Sequence, residues 1–99
     1  MKSLQQIIEL SAKPVLVEFY TPGCPRCTEE APVMAELINK EGSKAEIVQV
    51  NMKANPEIAE AYKVHTHPTF ILFKDGQEAW RDSGVKPYGE LLDMIHRFE

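Results

Sequence analysis

The chain has 99 residues, of which 43% are hydrophobic and 26% charged, with a formal net charge of −4. That length and composition predict one globular domain, residues 1–99, around a single core, and leave no room for a second. The basic residues are scattered, which argues against nucleic acid as a partner. The opening "MKSLQQIIEL" lacks the apolar run of a signal peptide or membrane span, so a cytoplasmic protein with no membrane partner is expected.

The predicted elements alternate along the chain. "SLQQIIELSA" pairs Ser3 with Gln6 in a capping-box pattern and places Leu4, Ile7 and Ile8 on one face, which predicts a short amphipathic helix. "VLVEFY", residues 15–20, is a β-branched and aromatic run of the kind found in strands buried on both faces, and Glu18 is an ionisable exception inside it. After Cys24 the apolar positions Cys27, Ala31, Met34, Ala35 and Ile38 recur at helical spacing as far as Gly42. Pro32 removes a backbone donor and is expected to kink that helix, while Glu29 and Glu30 are expected to be exposed on it. "EIVQV" reads as a second strand, and "NPEIAEAY" as a short helix with Asn55 as its cap and Pro56 in its first position. "TFILF" and "EAWRDS" flank "KDGQ", whose Asp75-Gly76 pair favours a two-residue antiparallel turn. "KPYGELLDMIHRF" predicts a closing helix that buries Leu91, Leu92, Ile95 and Phe98. Trp80 reads as packing, and His65 and His96 as surface residues.

The only two cysteines, Cys24 and Cys27, stand in "CPRC" where the first strand gives way to the long helix. The first turn of a helix presents unpaired N–H groups and the positive end of its dipole, so a thiolate at Cys24 is favoured there and Cys24 reads as a nucleophile. Cys27 lies one turn later on the same face, within reach as the resolving thiol. In a reducing compartment so close a pair points to catalysis or metal rather than to a permanent cross-link. The metal alternative would join His65 and His67 to the two cysteines as a zinc-type ligand set, but their spacing does not fit the usual finger pattern, and no metal is expected.

"VLVEFYTPGCPRC", "EAPVMAEL", "VNMKANPEIAEAYKV", "HPTFILFKDGQ" and "SGVKPYGELL" follow the order and spacing of the thioredoxins from Pro14 onward, so the chain resembles that family. The resemblance implies an α/β thioredoxin fold, a mixed four-stranded sheet flanked by helices. The family's extra leading strand is expected to be absent, since only one helix precedes "VLVEFY". It implies a cis Pro68 facing the redox pair, Glu18 as a buried acid assisting Cys27, and Pro32 as the helix-kinking proline. It further implies a substrate groove lined by Gly84 together with Gly23, Pro25, Arg26 and His67. The activity implied is reduction of protein disulfides by a thiol-disulfide oxidoreductase. Its only redox group would be a Cys24–Cys27 disulfide, re-reduced by a thioredoxin-reductase-type donor, and a monomer is expected. Three departures stand out. Gly23 replaces the usual tryptophan, Pro25-Arg26 replace Gly-Pro, and Gln49 stands where a lysine often pairs with the buried acid. Arg26, within one turn of Cys24, is expected to favour the thiolate. Two alternatives remain at this point. A glutaredoxin-like, glutathione-linked reductase would share the proline after the first cysteine, although His-Thr-His precedes Pro68 here. A metal-binding or adaptor module on the same fold is the other.

Overall fold

The structure, a computed structural model, describes residues 2–99; Met1, which begins both the opening stretch and the expected 1–99 domain, lies outside them. The elements follow in the order α1 (Leu4–Leu10), β1 (Val15–Tyr20), α2 (Pro25–Glu41), β2 (Glu46–Asn51), α3 (Pro56–Ala61), β3 (Thr69–Lys74), β4 (Gln77–Ser83) and α4 (Tyr88–Arg97). The strands form one mixed sheet in the order β2-β1-β3-β4, with β1 parallel to β2 and antiparallel to β3. This is the expected four-stranded architecture, and no strand precedes β1 among the described residues.

Alternation along the central strands builds two cores. Val15, Val17 and Phe19 of β1 face one side with Ile71 and Phe73, and are covered by Ile8 of α1 and Ala59 of α3. Leu16 faces the other side with Phe70 and Leu72, covered by Met34 and Leu37 of α2 and Leu91, Met94 and Ile95 of α4. A strand with helices on both faces has no solvated side, which is why "VLVEFY" reads as a continuous apolar run. The same alternation turns Glu18, between Val17 and Phe19, toward the α2–α4 side.

Most local signals act as their chemistry dictates. Ser3 Oγ accepts from the Gln6 N–H at 3.2 Å, and Gln6 Oε1 accepts from the Ser3 N–H at 2.9 Å, closing the capping box. Asp75 and Gly76 have φ of 52° and 80°, the left-handed pair that a type I′ hairpin requires. Asn55 does precede α3, but its side chain makes no cap; instead its Nδ2 donates to the Asn51 carbonyl at 3.1 Å.

Two helix faces differ from the sequence reading. The buried stripe of α2 is Cys27, Glu30, Met34 and Leu37, while Ala31, Ala35 and Ile38 are exposed. Alanine serves equally on either side of a helix, and a carboxylate at position 30 hides one member of the true stripe from any count of apolar residues. On α4 the buried residues are Leu91, Met94 and Ile95, with Leu92 only half-buried, because it lies about 100° around the axis from Leu91. Helix α2 runs through Pro32 as one element from Pro25 to Glu41.

The α2 stripe has a direct test in urea unfolding. Leu37→Ala removes a side chain with no exposure and should cost roughly 2–5 kcal/mol, whereas Ile38→Ala, at a site 40% exposed, should cost under about 1 kcal/mol. The reverse order would place the stripe where apolar counting had put it.

Candidate active site

Cys24 is the N-cap of α2, with extended dihedrals, and its sulfur accepts from the Cys27 N–H at 3.2 Å. Pro25 occupies the first helical position, where its missing N–H removes a donor that would have been unpaired. Gly23 enters the turn with φ of 77°, so a side chain there would be strained even though open space surrounds it. Both thiols are free, and each cysteine is 7% exposed.

The second wall of the site comes from the segment before β3. Phe19 near the end of β1 lies opposite Thr69 at the start of β3, so antiparallel pairing carries the residues just before Thr69 to the end of the sheet that leads into Cys24. His67 Nδ1 accordingly stands 3.1 Å from Cys24 Sγ and 3.9 Å from Cys27 Sγ. The His67–Pro68 peptide is cis, and the Pro68 carbonyl accepts from the Gly84 N–H at 2.8 Å. Gly84 has φ of 95° with open space around it, so its backbone conformation rather than crowding calls for glycine. Residues 23–27, His67, Pro68 and Gly84 thus adjoin. Pro25 and Arg26 are exposed, and His65 is exposed outside the group formed by the two cysteines and His67.

The two thiols are driven apart. Burial works against ionising Cys24, but hydrogen bonds from the Cys27 thiol and N–H, and the bond and charge of His67, outweigh it and hold the Cys24 thiol at about 7. The groups that lower the Cys24 thiol are Cys27 first and His67 after it, while the Arg26 side chain is exposed. Burial pushes the Cys27 thiol up to about 11; the bond and negative charge of Cys24 and the charge of Glu18 add to this, while the Thr21 backbone opposes it. Such a pair has one sulfur ready to attack and one that keeps its proton.

Behind Cys27 lie two buried carboxyls. Glu18 is 2% exposed; burial raises it above the usual carboxylate range, and the hydrogen bond from Gln49 Nε2, at 3.0 Å, only partly offsets this. Glu30 is fully buried rather than exposed as its sequence context implied. Its Oε1 accepts from the Lys86 N–H at 2.6 Å, and its Oε2 has no partner. Burial, with the negative charges of Glu18 and Glu29, raises it to about 7 despite the Lys86 N–H and ammonium. The Lys86 ammonium itself turns to Asp82, 2.7 Å away. A signal for Glu30 was available: it stands three residues after Cys27 and four before Met34, in the phase of the buried face.

The thioredoxin family model matches residues 1–97. "Thioredoxin Y, chloroplastic" of Oryza sativa is 36% identical over 93 residues, which make up 94% of this chain and 55% of that protein. "Thioredoxin 1" of Synechococcus elongatus is 34% identical over 93 residues, 94% of this chain and 86% of that one. The chain therefore spans about half of the plant relative and most of the cyanobacterial one. The structure of Fasciola hepatica thioredoxin is similar, with a TM-score of 0.85 at 30% identity, covering 96% of this chain and 89% of that one. The chain belongs to the thioredoxin family, whose fold it adopts, and its cysteine pair is that of a thiol-disulfide oxidoreductase.

Glu30 gives the fold a pH dependence of definite sign. Its folded value lies above that of an unfolded glutamate, so the folded state holds the proton more tightly, and the stability tied to that proton falls as pH rises from about 4.5 to about 7. Glu30→Gln should match the wild type near pH 4 and exceed it by roughly 1–2 kcal/mol at pH 8, a figure reduced for solvent screening. Chemical denaturation at both pH values measures the difference; a variant less stable than wild type at pH 8 would contradict it.

Proposed function

We propose that the protein reduces disulfide bonds in client proteins, and the observation that carries this reading is the 3.1 Å contact of His67 Nδ1 with a Cys24 sulfur that also accepts from the Cys27 N–H. The Cys24 thiolate attacks one sulfur of the client disulfide; the other leaves as a thiolate, and a Cys24–client mixed disulfide forms. Cys27 then gives up its proton and attacks Cys24 Sγ, releasing the second client thiolate and closing the Cys24–Cys27 disulfide. The client gains two electrons and the pair loses two. Glu18, buried and raised, with its charge acting on Cys27, is the proton acceptor for this second step. Gly23, Pro25, Arg26, His67, Pro68 and Gly84 contact the client.

A thioredoxin-reductase-type donor returns the two electrons to the oxidised pair, and the protein acts as a monomer with no cofactor beyond its own disulfide. A reducing compartment such as the cytoplasm suits this cycle; no helix among the described residues is long and apolar enough to cross a membrane.

The division of labour has a simple readout. With Cys27→Ser, mixed disulfides between Cys24 and client proteins should accumulate on non-reducing gels, and insulin reduction driven by thioredoxin reductase should stop. With Cys24→Ser, almost no mixed disulfide should form, because the remaining thiol is buried and lies one turn inside the helix, away from its N-terminal end. Equal trapping by both variants would overturn the assignment of the nucleophile.

A further inference from the structure

We infer that the reduced site is also a binding site for a single thiophilic d10 cation of the zinc(II) class, held by Cys24 Sγ, Cys27 Sγ and His67 Nδ1. These three atoms all lie within 4.8 Å of one another, and each belongs to a ligand type that zinc accepts. Zinc–sulfur bonds near 2.3 Å and zinc–nitrogen bonds near 2.0–2.1 Å, at tetrahedral angles, set neighbouring ligand atoms roughly 3.5–3.8 Å apart. The imidazole nitrogen stands 3.1 Å from one sulfur and 3.9 Å from the other, so small rotations of the side chains bring all three to bonding distance.

The surroundings favour such an ion. Two thiolates, one neutral imidazole and one divalent cation sum to zero charge, which suits cysteines that are each only 7% exposed. The Cys27 N–H already points at Cys24 Sγ from 3.2 Å, a bond that orients the sulfur and stabilises its negative charge. Exposed Gly23 and Pro25 flank Cys24, leaving a fourth coordination position open to water or to an incoming thiolate. His65 is exposed outside the cluster, so the set is two sulfurs and one nitrogen rather than two and two.

Ligation changes no oxidation state, but it competes with disulfide exchange because both sulfurs are occupied. The Cys24–Cys27 disulfide in turn leaves no thiolate to bind the ion. Metal and oxidant therefore exclude each other at this site, and zinc would hold the pair in its reduced, inactive form. This site shares its sulfurs with the disulfide-exchange reading, and each can fail without the other.

The test titrates zinc(II) into protein reduced with a phosphine, against a chromophoric chelator, with cobalt(II) as a spectroscopic probe of ligand type. The expected result is one equivalent bound by the reduced wild type and none by the oxidised wild type, with cobalt giving sulfur charge-transfer bands. His67→Ala should weaken binding by at least about tenfold, since loss of a ligand costs no less than loss of its supporting partner. His65→Ala should bind as the wild type does. Absence of stoichiometric zinc on the reduced wild type, or equal affinity in His67→Ala, would overturn the site. Insulin reduction by chelator-treated protein is measured in parallel, so failure of the exchange chemistry is seen separately from failure of the metal site.

Discussion

A negative sulfur at the mouth of α2 is the constraint on which the other features of the site depend. Burial alone would keep Cys24 protonated, and the donors that reverse this come from two places: the Cys27 N–H and thiol in the first turn of α2, and the His67 ring 43 residues away. Held together, those donors need a rigid frame, and the sheet supplies it. Strand β1 leads into Cys24, β3 begins directly after Pro68, and the pairing of Phe19 with Thr69 fixes one against the other. The two packed cores on either face of β1 keep that pairing in place.

The face of β1 that packs on α2 and α4 carries one buried acid, Glu18, and α2 brings a second, Glu30, into the same layer. The charge of Glu18 adds to the cost of ionising both Glu30 and the Cys27 thiol. Glu30 has a mechanical part as well. By accepting from the Lys86 N–H it ties the helix bearing both cysteines to the segment after β4, whose Gly84 N–H in turn binds the Pro68 carbonyl. The cysteine turn, the Pro68 loop and the Gly84 loop are thereby joined in one hydrogen-bonded circuit. A buried carboxyl oxygen without a partner is the local cost of that connection.

Much of this was legible in the residues. The β-branched run around Glu18, the capping box at Ser3, the Asp75-Gly76 turn and the spacing of Cys24 and Cys27 each carry a local physical signal, and the architecture follows from their order. Glu18 showed itself because an ionisable group inside an apolar strand is conspicuous. Glu30 did not, because a glutamate among other polar helix residues looks solvated until the phase of the helix is known. The contact between His67 and Cys24 joins residues separated by α2, β2 and α3, so no local pattern could report it. Arg26 drew attention by sequence proximity to the nucleophile, yet one turn of helix leaves it exposed while a distant histidine makes the contact.

The most direct measurement is the ultraviolet thiolate absorbance of the fully reduced protein followed against pH. The first thiol should ionise with a midpoint near 7, and in His67→Ala that midpoint should move up toward the ordinary cysteine value of about 8.5. A wild-type midpoint already at about 8.5, or one that stays put when the imidazole is removed, would contradict the account of how Cys24 is held as a nucleophile.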